Sequence, residues 1–280
     1  MAPSTTPHEL MRRNIPVSWH SFGGLFMGHT IGTGHKNVDL CTAQYTASFD
    51  PDLCRRLAKG LVETKIRNSR TLLRRNWKEP EAPNALLEDL RGDIRHLQRV
   101  KDLQDLLGIE GSAASRYFWS FRYLIRDQHR NEAFGFDFKT RNRRPPTDPV
   151  NAMLSYAYTL LVRVWVVTLS AVGFDPYRSF YHQPRYGRPA LALDLMEPFR
   201  PLIADSVMLQ AINNGEVRPT DFVQAPGSVN LTSDGRKRFI GTFERRMSQE
   251  VSHPLFQYRV SYRRLLELQA SLFGTGSSNS

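Results

Sequence analysis

The sequence predicts a mainly α-helical protein with a short β region at its N-terminus. From about residue 49 onward, apolar residues recur at the three- and four-residue spacing of amphipathic helices. Before that point, residues 15–45 consist of short apolar runs separated by glycine, a pattern typical of strands. We therefore predict a partial β domain over residues 1–48, an α-helical domain over 49–273 and a disordered tail over 274–280.

The β region offers two candidate strands, "IPVSWHS" and "GLFMGHTIG". A β domain that folds independently normally needs more than two or three strands. This region therefore looks like the remnant of a larger β domain. We expect its strands to pair with another part of the protein.

Three helices are predicted in the first half of the α-helical domain. The first begins at Pro51, for which Asp50 can serve as the N-cap. The second carries apolar residues at helical spacing from Leu86 to Leu107. The third opens at "GIEGSAASRYFW", so Glu110 is expected at its start, followed by small residues that would let a DNA backbone approach.

The second half contains the most apolar helix, "VNAMLSYAYTLLVRVWVVTLSAVG". Asp148 is its predicted N-cap, Pro149 its first residue and Gly173 the residue that ends it. Because this segment holds Arg163 and several polar residues, we interpret it as a buried helix and not as a membrane span. Another helix is predicted from about residue 190 to 214, and two basic helices follow, "SDGRKRFIGTFERRMSQEV" and "YRVSYRRLLELQASLF".

The chain carries a formal charge of +11, since 38 Lys and Arg residues outnumber 27 Asp and Glu residues. A single pair of arginines is best interpreted as the solvated face of a helix. Basic clusters spread over the whole chain, however, favour a polyanionic partner, and a nucleic acid over a membrane surface. The clusters are Arg12–Arg13, Arg74–Arg75, Arg141–Arg144, Arg236–Arg238, Arg245–Arg246 and Arg263–Arg264.

Common sequence signatures exclude several classes of protein. The two cysteines, Cys41 and Cys54, form neither a CxxC ligand pair nor a disulfide framework. This cysteine usage leads us to expect a cytoplasmic location. The opening "MAPSTTP" lacks the charged segment and apolar core of a signal peptide. Dinucleotide-binding loops, phosphate-binding loops and His-Glu-x-x-His zinc motifs are also absent.

One stretch, "YHQPRYGRPALALDLMEPFRP" at residues 181–201, places two carboxylates in an apolar run. Asp194 and Glu197 are three residues apart, so on a helix their side chains share one face and repel each other. A divalent cation between them would remove this repulsion, and oxygen ligands suit magnesium or manganese. A neutral imidazole such as His182 would shift the preference toward manganese, and Glu110 is the best candidate for a further carboxylate.

Each of these residues also has a purely structural interpretation. Glu110 could complement a helix N-terminus, an effect worth about 0.3–1 kcal/mol. Asp194 and Glu197 could lie on the exposed side of an amphipathic helix, and His182 could be an ordinary loop histidine. Spacing alone does not decide between these interpretations and a metal site.

Several further residues are candidates for contact with DNA. Tyr156 and Tyr158 could face the site or the DNA, although aromatic residues in an apolar helix more often belong to the core. Better candidates for phosphate contacts are basic residues in predicted loops or at helix starts. They are Arg143, Arg144, Arg236 and Lys237.

Four motifs follow one another along the chain: "EGSAASRYF", "NAMLSYAYTLL", "GFDPYRSFYHQPRYGRPALALDLMEPFRPLIAD" and "LTSDGRKRFIGTFERRM". In order and approximate spacing they resemble the CRISPR-associated integrase of the adaptation module, the Cas-one family. The resemblance implies a metal-dependent DNA endonuclease and integrase, which inserts captured DNA fragments as spacers into a CRISPR array through attack of a 3′-hydroxyl on a phosphodiester. Motif by motif, it implies that Glu110, His182 and Glu197 are ligands of Mg²⁺ or Mn²⁺ and that Asp194 is the accompanying acid.

The resemblance also implies an architecture and partners. The family fold is an N-terminal β-sandwich followed by a larger α-helical catalytic domain. It acts as a homodimer, and a small ferredoxin-like protein bridges two dimers. The β region here is shorter than that of the family, which implies either a truncated gene or a misassigned start within a longer protein, and the segment resembles forms fused to an N-terminal iron–sulphur exonuclease.

Two other functions stay open at this point. The chain could be a catalytically incompetent, DNA-binding structural remnant of the same family. It could also be an unrelated basic helical protein that binds nucleic acid. Metal dependence would separate the integrase from both of these alternatives.

Overall fold

The computed structural model describes residues 5–13, 15–20, 26–32, 37–130, 135–142, 144–252 and 258–277. Within these residues the protein is mainly helical with a few short strands, which confirms the predicted fold class. The chain divides into two compact units. Unit 1 comprises residues 1–54, 162–195 and 250–280, and unit 2 comprises residues 55–161 and 196–249.

The described helices and strands alternate irregularly along the chain. The α-helices are α1 (Thr5–Arg12), α2 (Val38–Ala47), α3 (Pro51–Asn76), α4 (Asn84–Leu97), α5 (Leu103–Trp119), α6 (Asp127–Arg130), α7 (Pro149–Val172), α8 (Ala190–Met196), α9 (Ser206–Asn213), α10 (Ser233–Ser248) and α11 (Tyr262–Ser277). The strands form three antiparallel pairs: β1 (Val17–His20) with β2 (Phe26–Thr30), β3 (Phe222–Ala225) with β4 (Ser228–Leu231), and β5 (Glu250–Ser252) with β6 (Arg259–Ser261).

The N-terminal region contains the two predicted strands, which pair with each other so that Val17 lies opposite Thr30. The prediction of β structure as far as residue 45 is wrong, because α2 occupies its last part. The side chain of Asn37 accepts a hydrogen bond from the backbone N–H of Leu40 at 3.0 Å and caps this helix. The residues before α2 form short apolar runs typical of strands. One capping residue is too weak a signal to show that a helix begins after them.

Two predicted helix starts are confirmed by their caps. Asp50 accepts a hydrogen bond from the backbone N–H of Asp52 at 2.9 Å, where α3 begins. Asp148 accepts one from the backbone N–H of Asn151 at 2.8 Å, where α7 begins. Gly173 ends α7 with a φ of 107°, a left-handed conformation that glycine adopts without strain.

The predicted boundary between the second and third helices is wrong. The second helix, α4, ends at Leu97, and α5 already begins at Leu103, where Asp102 accepts a hydrogen bond from the N–H of Asp105 at 2.8 Å. Apolar residues continue at helical spacing across this break, so periodicity alone hid it. Glu110 consequently lies in the middle of α5, and it neither opens a helix nor complements a helix N-terminus.

The helix predicted from residue 190 to 214 is interrupted, so this prediction is also wrong. Helix α8 ends at Met196, residues Arg200–Asp205 form a π-helix, and α9 follows it. Pro198 and Pro201 lack the N–H group that an α-helix requires, which accounts for the break. Glu197 lies in this break, directly after α8.

Among the described residues, α7 is the helix long and apolar enough to cross a membrane, and half of its most apolar stretch is buried. The side chains of Met153, Leu161 and Leu169 are fully buried. Burial of this kind is what the sequence analysis predicts for a core helix.

The two basic C-terminal helices are present as α10 and α11. Thr232 caps α10 by accepting a hydrogen bond from the N–H of Gly235 at 3.0 Å. The first residues of the second predicted basic helix, however, form β6, so α11 begins only at Tyr262. It extends to Ser277, into the segment assigned to a tail, and residues 278–280 lie outside the described residues.

Candidate active site

His182 and Asp194 form a hydrogen-bonded pair in unit 1. Asp194 lies in α8 and is fully buried. Its carboxylate accepts hydrogen bonds from the backbone N–H groups of Phe180 (2.8 Å), Tyr181 (2.9 Å) and His182 (2.9 Å). The Nδ1 atom of His182 lies 2.7 Å from Oδ1 of the same carboxylate. These donors offset the cost of burying a charged group, so Asp194 fixes the loop that carries the histidine.

The pairing also selects the nitrogen of His182 that carries a proton. An ionised carboxylate only accepts hydrogen bonds, so Nδ1 is the donor to Asp194. In the neutral ring the lone pair is then on Nε2, the form in which an imidazole binds a metal. A carboxylate that orients an imidazole in this way is a common support for a metal ligand.

A second buried side chain of unit 1 fixes the start of the histidine loop. The amide of Gln44, on α2, donates hydrogen bonds to the carbonyl oxygens of Asp175 (2.8 Å) and Arg178 (2.7 Å). Its own carbonyl oxygen accepts a hydrogen bond from the N–H of Asp175 at 2.9 Å. Helix α2, which the sequence analysis missed, therefore helps to position the loop that leads to His182.

Glu110 and Glu197 are brought together in unit 2 by a lysine. The Nζ atom of Lys65, on α3, lies 2.5 Å from Oε1 of Glu110 and 2.7 Å from Oε2 of Glu197. The side chain of Glu197 is 1% exposed, and those of Lys65 and Glu110 are 15% and 16% exposed. Two carboxylates thus share one ammonium group in a largely desolvated place.

Arg200 holds the other oxygen of Glu197. Its Nη2 atom lies 2.9 Å from Oε1 of Glu197, and its guanidinium lies over the ring of Tyr158, 4.8 Å from the ring centre. Although burial opposes the charge, neighbouring carboxylates, with Glu197 the strongest, raise the pKa of Arg200 above its ordinary value. Each oxygen of Glu197 is therefore held by a different cation.

A buried acid, Asp205, fixes the tyrosine on which Arg200 lies. The hydroxyls of Tyr158 and Tyr117 donate hydrogen bonds to the two oxygens of Asp205, at 2.7 and 2.8 Å. Burial raises the pKa of Asp205 to about 6, although the two tyrosine hydrogen bonds lower it. Burial also raises the pKa of both tyrosines well above the ordinary value, so they act as neutral donors.

The break after α8 sets the position of Glu197. The side-chain amide of Asn68, on α3, donates a hydrogen bond to the carbonyl oxygen of Pro198 at 2.8 Å, which satisfies an acceptor that the interrupted helix leaves. π-Helical turns like the one that follows are frequent at functional sites. A cavity of about 40 Å³ lies here in unit 2. Its lining includes Lys65, Glu110, Ala114, Tyr158, Arg200 and Asp205.

The predicted site residues thus occur as two pairs. Glu110 and Glu197 meet through Lys65 in unit 2, and His182 and Asp194 meet in unit 1. In the described part of the chain, no three His, Cys, Asp or Glu side chains come together as a metal-binding group. The complete ligand set therefore stays a prediction.

The predicted phosphate contacts are in part accessible. Arg144 and Lys237 are exposed, and Arg236 is half-buried. Nζ of Lys237 lies 3.5 Å from a carboxylate oxygen of Asp234, and both side chains are largely exposed, so this ion pair is weak. Arg143 lies outside the described residues.

Sequence reasoning missed three residues of the site: Lys65, Arg200 and Asp205. Lys65 lies between the buried residues Val62 and Ile66 on α3, which places it beside the buried face of this helix but gives no sign of its contact with the two glutamates. Arg200 lies three residues after Glu197, a spacing typical of an ion pair. Asp205 is a carboxylate in an apolar run, the same feature that drew attention to Asp194.

Solved structures share this fold. A casposase bound to an integration product superposes with a TM-score of 0.81 at 24% sequence identity, over 98% of this chain and 74% of that chain. A partial Cas6-RT-Cas1–Cas2 complex superposes with a TM-score of 0.77 at 24% identity, over 99% of this chain and 81% of that chain. At 24% identity the similarity shows a shared fold. This chain therefore belongs to the class of proteins that have the fold of these two structures.

Among proteins with this fold, the sequence assigns the chain to one family. The family model "CRISPR associated protein Cas1" matches residues 2–245, so the chain belongs to the Cas1 family. This confirms the resemblance carried by the four motifs.

Two curated relatives show how much of a longer protein the chain can correspond to. A Cas4/Cas1 fusion of Geobacter sulfurreducens, named as a CRISPR-associated exonuclease and endonuclease, is 61% identical over 269 residues, which are 95% of this chain and 48% of the relative. A CRISPR-associated endonuclease Cas1 of Thermus thermophilus is 37% identical over 261 residues, which are 93% of this chain and 75% of the relative. The chain therefore spans about half the length of the fusion relative.

Proposed function

We propose that this chain is a metal-dependent DNA endonuclease and integrase, which inserts captured DNA fragments as spacers into a CRISPR array by attack of a 3′-hydroxyl on a phosphodiester. The observation that carries the proposal is the convergence of Glu110 and Glu197 on one cation in a member of the Cas1 family. The names of its relatives, which include endonucleases, support the reaction class.

The residues present fit a divalent ion. One oxygen of Glu110 and one of Glu197 lie within 2.7 Å of a single nitrogen, so the two carboxylates converge on the place of one cation. Carboxylate oxygens are the ligands that Mg²⁺ and Mn²⁺ prefer. We infer that Glu110, Glu197 and His182 would hold the ion, which would supply Lewis-acid stabilisation of the charge that develops on the phosphate.

The chain's own residues orient this ligand set. Asp194 keeps the His182 ring in one tautomer and holds its loop, and we therefore assign it the role of the accompanying acid and not of a ligand. Arg200 fixes the second oxygen of Glu197, and Tyr158 supports Arg200 from its ring face. Such support is what holds catalytic groups in productive geometry.

The partners of the proposed enzyme follow from its charge and its relatives. The charge of +11 suits double-stranded DNA, with Arg143, Arg144, Arg236 and Lys237 as proposed phosphate contacts. We propose a cytoplasmic homodimer with a catalytic α-helical domain over residues 49–273 and a partial β domain over 1–48. Two such dimers would be bridged by a small ferredoxin-like protein, and an iron–sulphur exonuclease would act alongside it, as the Cas4/Cas1 fusion relative suggests.

The proposal is tested with a labelled branched DNA that mimics a half-integrated product. The purified chain is incubated with this DNA in Mn²⁺ or in EDTA and compared with His182→Ala and Glu197→Ala. We expect strand transfer or resolution in Mn²⁺, none in EDTA and none with either variant. Asp89→Asn, which removes an exposed carboxylate, is the matched control and should retain activity.

The alternative outcomes separate the remaining functions. Tight, salt-sensitive binding of branched DNA without any cleavage would contradict the enzyme and favour a DNA-binding structural remnant of the family. Cleavage that persists in EDTA, or in Glu197→Ala, would contradict the proposed metal site.

A further inference from the structure

Lys65 occupies the place at which the two site glutamates converge. Its Nζ atom lies 2.5 Å from Glu110 and 2.7 Å from Glu197, and these two residues belong to different parts of the fold, α5 and the break after α8. Without a cation between them, two carboxylates at this separation would repel each other. The lysine therefore serves as the counter-ion of the pair.

Burial makes this counter-ion necessary. Glu197 is almost fully buried, and Lys65 is only 15% exposed. A charge in such a place needs a charged or hydrogen-bonding partner, and removal of one partner is costly. Val62 and Ile66, the buried neighbours of Lys65 on α3, fix the side of the helix from which the lysine reaches the site.

The two cations on Glu197 differ in how readily each can move away from it. The guanidinium of Arg200 has both a carboxylate partner and the ring of Tyr158. The ammonium of Lys65 is a compact point charge at the end of a flexible four-carbon chain, so it can leave without repacking of a planar group. Lys65 is thus the cation that another cation can displace.

We propose that Lys65 is a resident cation that competes with the divalent metal ion for the oxygens of Glu110 and Glu197. It holds the two carboxylates in place before the ion binds and lowers the apparent affinity for the ion. The inference rests on the proposed function in that it takes these glutamates as metal ligands. It goes beyond that function by assigning the lysine to metal uptake.

Manganese binding measures this competition without any need for activity. Free Mn²⁺ is followed by electron paramagnetic resonance in titrations of wild type, Lys65→Met and Lys65→Arg. We expect Lys65→Met to bind Mn²⁺ about tenfold or more tightly than wild type, since no ammonium has to be displaced. Lys65→Arg keeps the charge and should bind no more tightly than wild type. Lys101→Met, which removes an exposed lysine, is the matched control and should leave the affinity unchanged.

Thermal unfolding tests the same exchange of the Lys65 ammonium for the metal ion. In EDTA, Lys65→Met should melt below wild type because the glutamates lose their counter-ion. Saturating Mn²⁺ should raise the melting temperature of Lys65→Met more than that of wild type, since the ion replaces the ammonium. Equal shifts for the two proteins would contradict the exchange.

The wild-type fold provides a further measurement if Lys65→Met does not fold. Lysines of the intact protein are reductively methylated with ¹³C, which retains their charge, and the Lys65 signal is assigned by its absence in Lys65→Arg. Titration with Mg²⁺ should shift this signal and leave that of Lys101 in place. An unmoved Lys65 signal in a protein that binds the ion would overturn the inference.

These outcomes distinguish the two proposals. Mn²⁺ binding by wild type that is not tighter in Lys65→Met would refute the role of Lys65 and leave the proposed function standing. Failure of wild type and of Lys65→Met to bind Mn²⁺ would refute both.

Discussion

The Nδ1 atom of His182 lies 2.7 Å from Oδ1 of Asp194, whose carboxylate also accepts three backbone N–H groups from residues 180–182. One buried acid thus fixes both a loop and the ring that the loop presents. This explains why an ionisable residue lies in the apolar run of α8: its charge is offset by donors that would otherwise themselves be buried without partners.

Replacement of Asp194 by Asn should disable the site while it leaves the size of the side chain unchanged. An amide offers one accepting oxygen instead of two, so at least one of the buried N–H groups loses its acceptor, at about 1–3 kcal/mol. The tautomer of His182 is no longer fixed, and loss of such support typically lowers metal affinity or activity about 10–100-fold. Urea unfolding and strand transfer on branched DNA measure the two effects.

The tautomer itself provides the control for the Asp194→Asn variant. Nitrogen-15 NMR of the imidazole should report a proton on Nδ1 in wild type and a mixture of tautomers in the variant. An unchanged imidazole spectrum together with lost stability would mean that Asp194 holds the loop but does not orient the ring.

Glu110 and Glu197 should differ in their effect on stability and agree in their effect on chemistry. Glu197→Gln leaves Arg200 and Lys65 with an uncharged partner in a buried place, and disruption of a buried ion pair costs about 3–5 kcal/mol. Glu110→Gln should cost less, because Glu110 is 16% exposed and Glu197 still offsets Lys65. Both variants should lose metal-dependent strand transfer.

Chemical denaturation and the branched-DNA assay are the measurements for this pair of variants. Glu81→Gln, which changes an exposed carboxylate, should match wild type in both. Equal loss of stability for Glu110→Gln and Glu197→Gln would contradict the unequal burial of the two residues.

Much of the fold could be predicted because local signals were strong. Asp50 and Asp148 each precede a proline at the first position of a long helix, and both helices begin there. The breaks between helices were harder to predict. Apolar residues continue at helical spacing across residues 98–102, which conceals the end of α4. Periodicity reports which face of a helix is buried, and it does not report where one helix stops and the next one starts.

The candidate site could be predicted only in part for a similar reason. Acids in an apolar run and a recognisable motif pointed to Asp194 and Glu197. The roles of these two residues differ, because one binds backbone N–H groups and the other binds Lys65 and Arg200. Lys65 lies far from both in sequence, and a contact of this kind depends on tertiary packing that no local pattern records.

Asp205 should make the free energy of unfolding fall as the pH rises, which is opposite to the usual effect of a carboxylate. Burial raises its pKa from the ordinary value of 3.8 to about 6, so between about pH 4 and pH 6 the folded protein binds more protons than the unfolded chain. Its contribution to stability is therefore fully present below about pH 4 and is lost as the pH rises through 6. A pKa difference of this size corresponds to about 3 kcal/mol.

Comparison with Asp205→Asn isolates this effect from that of other carboxylates. Urea unfolding of both proteins at pH 4.5, 6 and 7.5 gives the difference in free energy of unfolding at each pH. We expect wild type to lose stability relative to the variant as the pH rises. A difference that does not vary with pH would show that Asp205 keeps an ordinary pKa.

Binding of DNA should depend steeply on salt, and Lys237 should account for part of that dependence. If the basic surface neutralises about five phosphates, the logarithm of the binding constant should fall with the logarithm of salt concentration with a slope of about −4.5. Lys237 is exposed and its ion pair with Asp234, at 3.5 Å, is weak, so the lysine can exchange this carboxylate for a phosphate at little cost. Lys237→Ala should then reduce the slope by about 0.9. Fluorescence anisotropy at several salt concentrations measures it, with Arg67→Ala as a control, since that arginine donates two hydrogen bonds to Glu63, at 2.9 and 2.6 Å. A slope that Lys237→Ala leaves unchanged would remove Lys237 from the DNA-binding surface, and a flat salt profile for wild type would contradict DNA binding itself.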